Sequence, residues 1–194
     1  MKALQDWGYN SIPMSLLLEA LIYGAELPPR PFVISFDDGH SSVYENAFPI
    51  MQEYGFTGVF YIVSNRLEAD GFVNADQLKE MAAAGWEIGS HSQSHIDLPS
   101  NHEVAHAQIR GSKLTLEDVL GVDVQTFAYP YGTIDSYIAQ KVQEYGYQAG
   151  VGLGKSWKHT MRNLYYLERI EIYGHYTLAD LTARLPWAND PFGE

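Results

Sequence analysis

Positions 35–39 of this chain read Ser-Phe-Asp-Asp-Gly and come directly after a short apolar run at positions 31–34. Such a run predicts a buried strand, so the two carboxylates stand at a strand end. Because side chains alternate along extended backbone, Asp37 and Asp38 are expected to point to opposite sides. One can then hold a metal ion while its neighbour faces a reacting water molecule, and Gly39 allows a sharp turn. Taken alone, the stretch is equally consistent with a strand end followed by a polar turn.

His91 and His95 enclose a second informative stretch, His-Ser-Gln-Ser-His, which follows a strand-like run at positions 86–89. Imidazole is a common zinc ligand, and three protein ligands with one open position make a hydrolytic site. These two histidines and one of the two aspartates give that count. The spacing superficially matches the metalloprotease helix pattern, but that pattern requires Glu where this chain has Ser92. Combined with the paired carboxylates, the stretch predicts a metal site.

A third stretch, Phe-Ala-Tyr-Pro-Tyr-Gly at positions 127–132, ends another predicted strand. With it, the chain resembles the polysaccharide deacetylases, the NodB-homology domain of carbohydrate esterase family four. The first family motif is Thr/Ser-Phe-Asp-Asp-Gly and the second is His-Ser/Thr-x-x-His, and both match here at every position. The third, Arg-x-Pro-Tyr/Phe, matches at Pro130 and Tyr131, whereas Ala128 stands where the family often has Arg. The resemblance extends over nearly the whole chain.

The resemblance implies a role for each matching residue. Asp38, His91 and His95 would hold one divalent ion, with zinc expected and cobalt, nickel or iron as alternatives. Asp37 would be the general base that takes a proton from the attacking water. The backbone N–H of Tyr131 would stabilise the oxyanion that forms on the carbonyl.

Two family roles have no clear holder in the sequence. The Arg that orients the catalytic base is replaced by Ala128, so Arg169 on the last predicted strand is a candidate substitute, with a surface ion pair as its alternative. The general acid of the family is usually a histidine late in the chain, which makes His175 a candidate. In permuted relatives the acid lies upstream, in a region that this chain would lack.

Predicted strands alternate with predicted helices along the chain, which favours βα units and a parallel sheet. The count is six or seven units, too few for a regular eight-fold barrel. We therefore expect an α/β fold, an irregular and incompletely closed (β/α) barrel of about seven units, as the resemblance also implies. Residues 1–194 would form a single domain that lacks an upstream strand found in relatives. All three motifs fall at the carboxyl ends of strands, where such barrels place their chemistry.

The composition limits the class of partner. The chain has 194 residues, a net charge of −12 and no cysteine, so any metal must use histidine and carboxylate ligands. The negative charge argues against nucleic acid or an anionic membrane surface as partner. No apolar run approaches the length of a membrane span, and no basic leader precedes an apolar stretch, so we expect neither a span nor a signal peptide.

The sequence thus predicts a metal-dependent hydrolase that removes acetyl groups from N-acetylated or O-acetylated carbohydrate, with N-acetylglucosamine polymers as the expected substrate. One alternative is a hydrolase of small cyclic amides with the same fold, and another is a non-catalytic glycan-binding module. His40 would line the pocket or be plainly exposed, and Trp157 and Tyr129 would stack on sugar or pack in the protein. A secreted or cell-envelope location follows from the resemblance, with a cytoplasmic one as the alternative; the oligomeric state stays open.

Overall fold

A computed structural model of the chain describes residues 1–186, and its central feature is a sheet of six parallel strands that pair in chain order. Two short parallel strands outside this sheet pair with each other, β1 (Asn10–Ser11) and β2 (Pro31–Phe32). The six strands of the sheet are β3 (Ser35–Phe36), β4 (Val59–Ile62), β5 (Glu87–Ser90), β6 (Thr126–Ala128), β7 (Ala149–Leu153) and β8 (Leu167–Arg169). The predicted α/β architecture with a curled, incompletely closed sheet is confirmed. Residues 187–194 of the predicted single domain lie outside the described part of the chain.

Helical segments connect the strands and cover the sheet. The α-helices are α1 (Lys2–Asp6), α2 (Met14–Tyr23), α3 (Phe48–Glu53), α4 (Ala75–Ala83), α5 (Ser112–Leu120), α6 (Ser136–Glu144) and α7 (Leu178–Thr182). The sequence predicts helix caps at Asn74 and Thr177, and both are present: their side chains accept the N–H groups of Gln77 and Asp180. No helix among residues 1–186 is both long enough and apolar enough to cross a membrane.

The sequence predicts one helix from Ser41 or Ser42 to about Tyr54 and a long one from about His102 to Leu120, and neither is a regular α-helix. A π-helical segment, Val43–Ala47, precedes α3, and another, His106–Gly111, precedes α5. In the first case Pro49 stands near the start of α3 and has no N–H to donate, so an unbroken α-helical ladder cannot run through it. Local hydrogen bonding therefore decides the helix type here, which apolar periodicity does not report.

The predicted first strand at positions 31–34 and the two residues after it do not form one continuous strand but pair with two different partners. Pro31 and Phe32 pair with β1, whereas Ser35 and Phe36 pair with β4. Because of this division, the carboxylates that follow Phe36 leave directly from the edge strand of the large sheet.

Alternate residues of β4 belong to two different apolar clusters. Phe60 and Ile62 pack in the larger cluster, whereas Val59 and Tyr61 pack with residues of α2 such as Leu18. A side chain at Gly89 would come within 2.4 Å of the Tyr61 ring, so glycine on β5 makes room for this tyrosine. Tyr61 in turn lies beneath a charged group of the site described below.

We predict that Glu87 stabilises the start of α2. Its two carboxylate oxygens accept the N–H groups of Met14, at 2.6 Å, and Ser15, at 2.9 Å. These are charge-assisted bonds to otherwise unpaired helix N–H groups, so Glu87→Ala should lower the free energy of unfolding by about 2 kcal/mol. Glu87→Gln, which keeps one acceptor, should cost less. Urea unfolding measures both.

The matched control is Glu19→Ala, because Glu19 is an exposed residue of the same helix. Its unfolding free energy should change by less than about 0.5 kcal/mol. Equal unfolding midpoints for Glu87→Ala and Glu19→Ala would show that the carboxylate does not hold the helix.

Candidate metal centre

The three motifs meet on one side of the sheet. The Asp37–Asp38 pair directly follows β3, the segment 91–95 follows β5, and the segment 129–132 follows β6. Since the strands are parallel, their carboxyl ends lie along a common edge, as the sequence predicted. The side chains that the motifs contribute therefore share one small region.

Asp38, His91 and His95 form a cluster that can hold a metal ion. One ligand atom from each lies within 4.8 Å of the others. The Oδ1 atom of Asp38 is 3.4 Å from Nε2 of His95 and 4.0 Å from Nε2 of His91. Tetrahedral ligands about 2.1 Å from an ion lie about 3.4 Å apart, so these separations fit a divalent ion with little movement. Two nitrogens and one oxygen suit zinc and its neighbours among the transition metals.

The His91 ring is oriented by the backbone of the third motif. Its Nδ1 atom lies 2.8 Å from the carbonyl oxygen of Ala128, and donation to that oxygen leaves the Nε2 lone pair facing the cluster. Burial lowers the pKa of His91 below its ordinary value, although the nearby Asp37 charge opposes this effect. The neutral ring that a metal requires is thus favoured at neutral pH.

A tight turn, not a helix, brings the second histidine to the site. Ser92 and His95 both adopt the left-handed conformation, with φ of 66° and 56°. The buried Ser92 hydroxyl accepts the N–H of His95 at 2.9 Å and so holds the turn closed. The four-residue spacing of the two histidines therefore has a different cause from that of helical metalloprotease sites.

Left-handed backbone is concentrated at the motifs. Six non-glycine residues of the described chain have positive φ, and four of them belong to the motifs: Asp38, Ser92, His95 and Tyr131. Such conformations are costly for residues with a Cβ atom and tend to persist where side-chain placement requires them. The strain is an independent sign that this region is a functional site.

Asp37 is held by Arg169, and its Oδ2 atom also lies 3.8 Å from Nε2 of His91, beside the metal cluster. The two guanidinium nitrogens donate to the two carboxylate oxygens at 2.7 and 2.8 Å, a bidentate pair. Arg169 also donates to the Ser35 hydroxyl at 3.0 Å, and its guanidinium lies 5.3 Å from the centre of the Tyr61 ring. Its side chain is only 16% exposed, so the surface ion pair considered from the sequence is wrong. Arg169 thus provides Asp37 with the guanidinium group that the family motif would supply from position 128.

The reason that the arginine comes from β8 is visible in the packing of β6. The Ala128 side chain is fully buried beside Tyr61 and Val151, in the cluster inside the sheet. Arg169 approaches Asp37 across the gap between β8 and β3, with its guanidinium over the ring of Tyr61.

Arg169 also controls the charge of Asp37. Burial would raise the pKa of the Asp37 carboxyl, but the hydrogen bonds and the charge of Arg169 outweigh burial and hold it below its usual value. Asp37 is consequently an ionised acceptor at neutral pH, with both oxygens fixed in orientation.

Arg66 is a neighbour of the cluster that the sequence analysis missed. Its Nη1 atom lies 3.3 Å from Oδ1 of Asp38, and its guanidinium lies 5.3 Å from the centre of the Phe72 ring. The exposed His40 stacks on the same Phe72 ring, with 4.7 Å between the two ring centres. No motif contains Arg66, so only its position on the turn after β4 could have drawn attention to it.

The other candidates are distributed differently. Tyr131 packs its ring 4.6 Å from the His95 ring, and its predicted oxyanion role stays a prediction. Tyr129 is fully buried and donates its hydroxyl to the Tyr165 carbonyl, so it cannot stack on a sugar. His175 is exposed. Its ring stacks on Tyr173 and meets the Tyr176 ring edge-on, and none of its described contacts reaches the metal cluster.

Known proteins resemble this chain in sequence. The family model for polysaccharide deacetylases matches residues 24–150, more than half of the chain. The poly-beta-1,6-N-acetyl-D-glucosamine N-deacetylase of Staphylococcus aureus (strain MRSA252) is 28% identical over 162 residues, covering 76% of this chain and 56% of that relative. YxkH of Bacillus subtilis (strain 168) is 24% identical over 173 residues, covering 89% of this chain and 62% of YxkH. The chain thus spans less than two thirds of the length of these curated relatives.

Solved structures share the fold. The Streptococcus pyogenes deacetylase PplD, in complex with acetate, superposes with a TM-score of 0.89 at 22% identity, covering 95% of this chain and 83% of PplD. IcaB from Ammonifex degensii superposes with a TM-score of 0.84 at 21% identity, covering 96% of this chain and 85% of IcaB. Together with the motif geometry, the match over residues 24–150 shows that this chain belongs to the polysaccharide deacetylase family.

Proposed function

We propose that this chain is a metal-dependent hydrolase that removes acetyl groups from N-acetylated carbohydrate. The observation that carries the proposal is the different bonding of two adjacent carboxylates: Asp38 belongs to the possible metal cluster with the histidines, and Asp37 is paired to Arg169. The name of the Staphylococcus aureus relative, a poly-beta-1,6-N-acetyl-D-glucosamine N-deacetylase, supports an N-acetylglucosamine polymer as the substrate. A secreted or cell-envelope location would follow from such a substrate.

In this proposal Asp38, His91 and His95 hold one divalent ion, with zinc as the first candidate. When bound, the ion would supply Lewis-acid chemistry, activating a water molecule for attack and polarising the acetyl carbonyl. The buried hydrogen bond from His91 to the Ala128 carbonyl fixes the ring before any ion arrives. Preorganisation of this kind lowers the cost of binding and selects the Nε2 atom as the ligand.

Asp37 is the general base of the proposed reaction. Its oxygens are both oriented by Arg169, and its lowered pKa keeps it ionised and able to take a proton from the attacking water. The backbone N–H of Tyr131 would donate to the oxyanion, a contribution of about 3 kcal/mol for one donor. Arg169 acts through Asp37 and is a positioning residue.

The rival interpretation as a non-catalytic glycan-binding module depended on the missing family arginine at Ala128 and on the uncertain general acid. Arg169 supplies a guanidinium to the base from another strand, which answers the first of these two arguments. A module that only binds glycan has no need for an ionised carboxylate fixed beside a metal cluster.

We predict that the two adjacent carboxylates differ in metal binding. Asp38→Asn should weaken zinc binding by at least about tenfold because it removes one of three ligands. Asp37→Asn should bind zinc within about threefold of the unchanged chain, since Asp37 is engaged by Arg169. Titration calorimetry with the metal-free chain measures both affinities, and similar losses in the two variants would overturn the assignment.

We predict that the zinc-loaded chain releases acetate from β-1,6-linked N-acetylglucosamine oligomers. Asp37→Asn should lower kcat by about 10²–10⁴ because the base is lost while the metal remains. Acetate release is measured with a coupled assay, with chitooligosaccharides as a second substrate. Unchanged turnover in Asp37→Asn would remove the base assignment, and a lack of acetate release from either substrate by zinc-loaded protein would refute the deacetylase proposal.

We predict that Arg169→Met moves the acidic limb of the pH profile of kcat/KM to higher pH. The hydrogen bonds and charge of Arg169 lower the pKa of Asp37, so their loss leaves burial, which raises it. The base is then protonated at a higher pH, and the limb should shift upward.

The exposed Arg162 provides the matched control for this shift. Arg162→Met removes the same charge without touching the site and should leave the limb in place. Arg169→Lys keeps a charge but loses the bidentate geometry, and an intermediate shift is expected. An identical acidic limb in all four proteins would show that Arg169 does not set the charge of Asp37.

A further inference from the structure

A cavity of about 380 Å³ lies at the end of the sheet that carries the metal cluster. It is lined by Lys155, Trp157, Ile170, Ala183 and Arg184. The first two follow the carboxyl end of β7, and the third follows the carboxyl end of β8. The volume lies within the range of small-ligand sites.

The cavity is a close neighbour of the catalytic machinery. Ile170 comes directly after Arg169, the residue that pairs with Asp37, and β7 and β8 end at the same edge of the parallel sheet as the strands that carry the cluster. A polymer bound across the site could therefore place one sugar at the metal cluster and a further sugar in this cavity.

The loop that presents Trp157 is fixed by the protein before any ligand binds. The Glu168 carboxylate accepts the N–H groups of Lys155 and Ser156 at 2.8 and 2.9 Å, and the N–H of Gly154 bonds to the Arg169 carbonyl. Trp157 is nevertheless 53% exposed. An exposed indole on an anchored loop is a ready surface for stacking on a sugar ring.

Two positively charged side chains, Lys155 and Arg184, line the cavity together with this indole. Among residues 1–186, neither Lys155 nor Arg184 takes part in a salt bridge. The Arg184 guanidinium lies 4.1 Å from the centre of the Tyr176 ring and donates to the backbone carbonyl of Asp180. The Asp180 carboxylate senses the Arg184 charge, but its oxygen accepts hydrogen bonds from Thr177.

The lining of the cavity differs in charge from the chain as a whole. The chain carries 12 lysines and arginines against 24 acidic residues, for a net charge of −12. The lining contains two cations and no carboxylate, so it creates a local field opposite in sign to that of the whole chain. A neutral sugar would make no use of that field.

We propose that this cavity binds an anionic sugar unit of the glycan substrate. The indole of Trp157 stacks on the sugar ring, and Lys155 and Arg184 bind its carboxylate or phosphate. The inference rests on the proposed function and narrows its substrate to a glycan in which N-acetylglucosamine alternates with acidic sugar units. A deacetylated aminosugar carries an ammonium group and is repelled here, so the cavity discriminates between acidic and cationic neighbours.

The test is calorimetric titration of zinc-loaded Asp37→Asn protein, in which the substrate stays intact. The acidic probe is a tetrasaccharide of alternating glucuronic acid and N-acetylglucosamine, and the neutral probe is the N-acetylglucosamine tetramer. We expect the acidic probe to bind at least fivefold more tightly, with a preference that declines as salt is added. Competition by glucuronate or by glucose 6-phosphate then distinguishes a carboxylate from a phosphate as the anion.

Variants locate the effect in the cavity. Lys155→Gln and Arg184→Gln should each weaken the acidic probe about tenfold and the neutral probe less than twofold, whereas Trp157→Leu should weaken both. Lys158→Gln is the matched control, because Lys158 is an exposed lysine of the same loop that does not line the cavity. Lys155 is exposed, so its substitution leaves the fold intact even if Arg184→Gln disturbs the packing on Tyr176.

Equal affinities for the two probes, or equal losses in Lys155→Gln and Lys158→Gln, would overturn the proposal. The titration does not depend on acetate release, so a failure of the deacetylase assay leaves this result standing. Conversely, acetate release without any preference for the acidic probe would refute only the role of the cavity.

Discussion

The ion pair between Arg169 and Asp37 is the contact on which both the fold and the site depend. It joins β8 to the end of β3, the two strands at opposite edges of the sheet, which do not pair with each other through their backbones. The same guanidinium also reaches Ser35 and lies over Tyr61. Removing one partner of such a pair is costly, because the other charge is left without compensation. The approach of the two sheet edges and the orientation of the proposed base therefore depend on the same contact.

Around this pair, the protein accepts local strain to arrange a compact donor set. Left-handed backbone at Asp38, Ser92, His95 and Tyr131 costs about 1–3 kcal/mol at each position. The buried strands beneath, from Val59–Ile62 to Ala149–Leu153, provide the rigid support that such conformations require. The rigid sheet thus fixes the positions of the imidazole and carboxylate groups at its edge.

Much of the fold was accessible from local patterns. Alternating apolar runs and helical segments predicted a parallel α/β sheet, and side-chain caps at Asn74 and Thr177 mark helix starts where they were expected. The patterns were less informative where strand pairing or local hydrogen bonding decides the secondary structure. The run at positions 31–34 is divided between β1 and the large sheet, and Val43–Ala47 adopts a π-helical form because of hydrogen bonding around Pro49. Neither feature alters the apolar periodicity that sequence reasoning measures.

The sequence by itself determined the candidate metal ligands, because Asp38, His91 and His95 lie in short motifs whose residue types already imply their chemistry. It also offered Arg169 as a substitute for the arginine missing at Ala128, but left a surface ion pair as the alternative. Only the tertiary structure decided between them, since Asp37 and Arg169 are 132 residues apart and meet solely because the sheet curls until its edges approach. The same holds for Arg66 beside Asp38, since contacts between distant segments depend on packing and leave no local pattern in the chain.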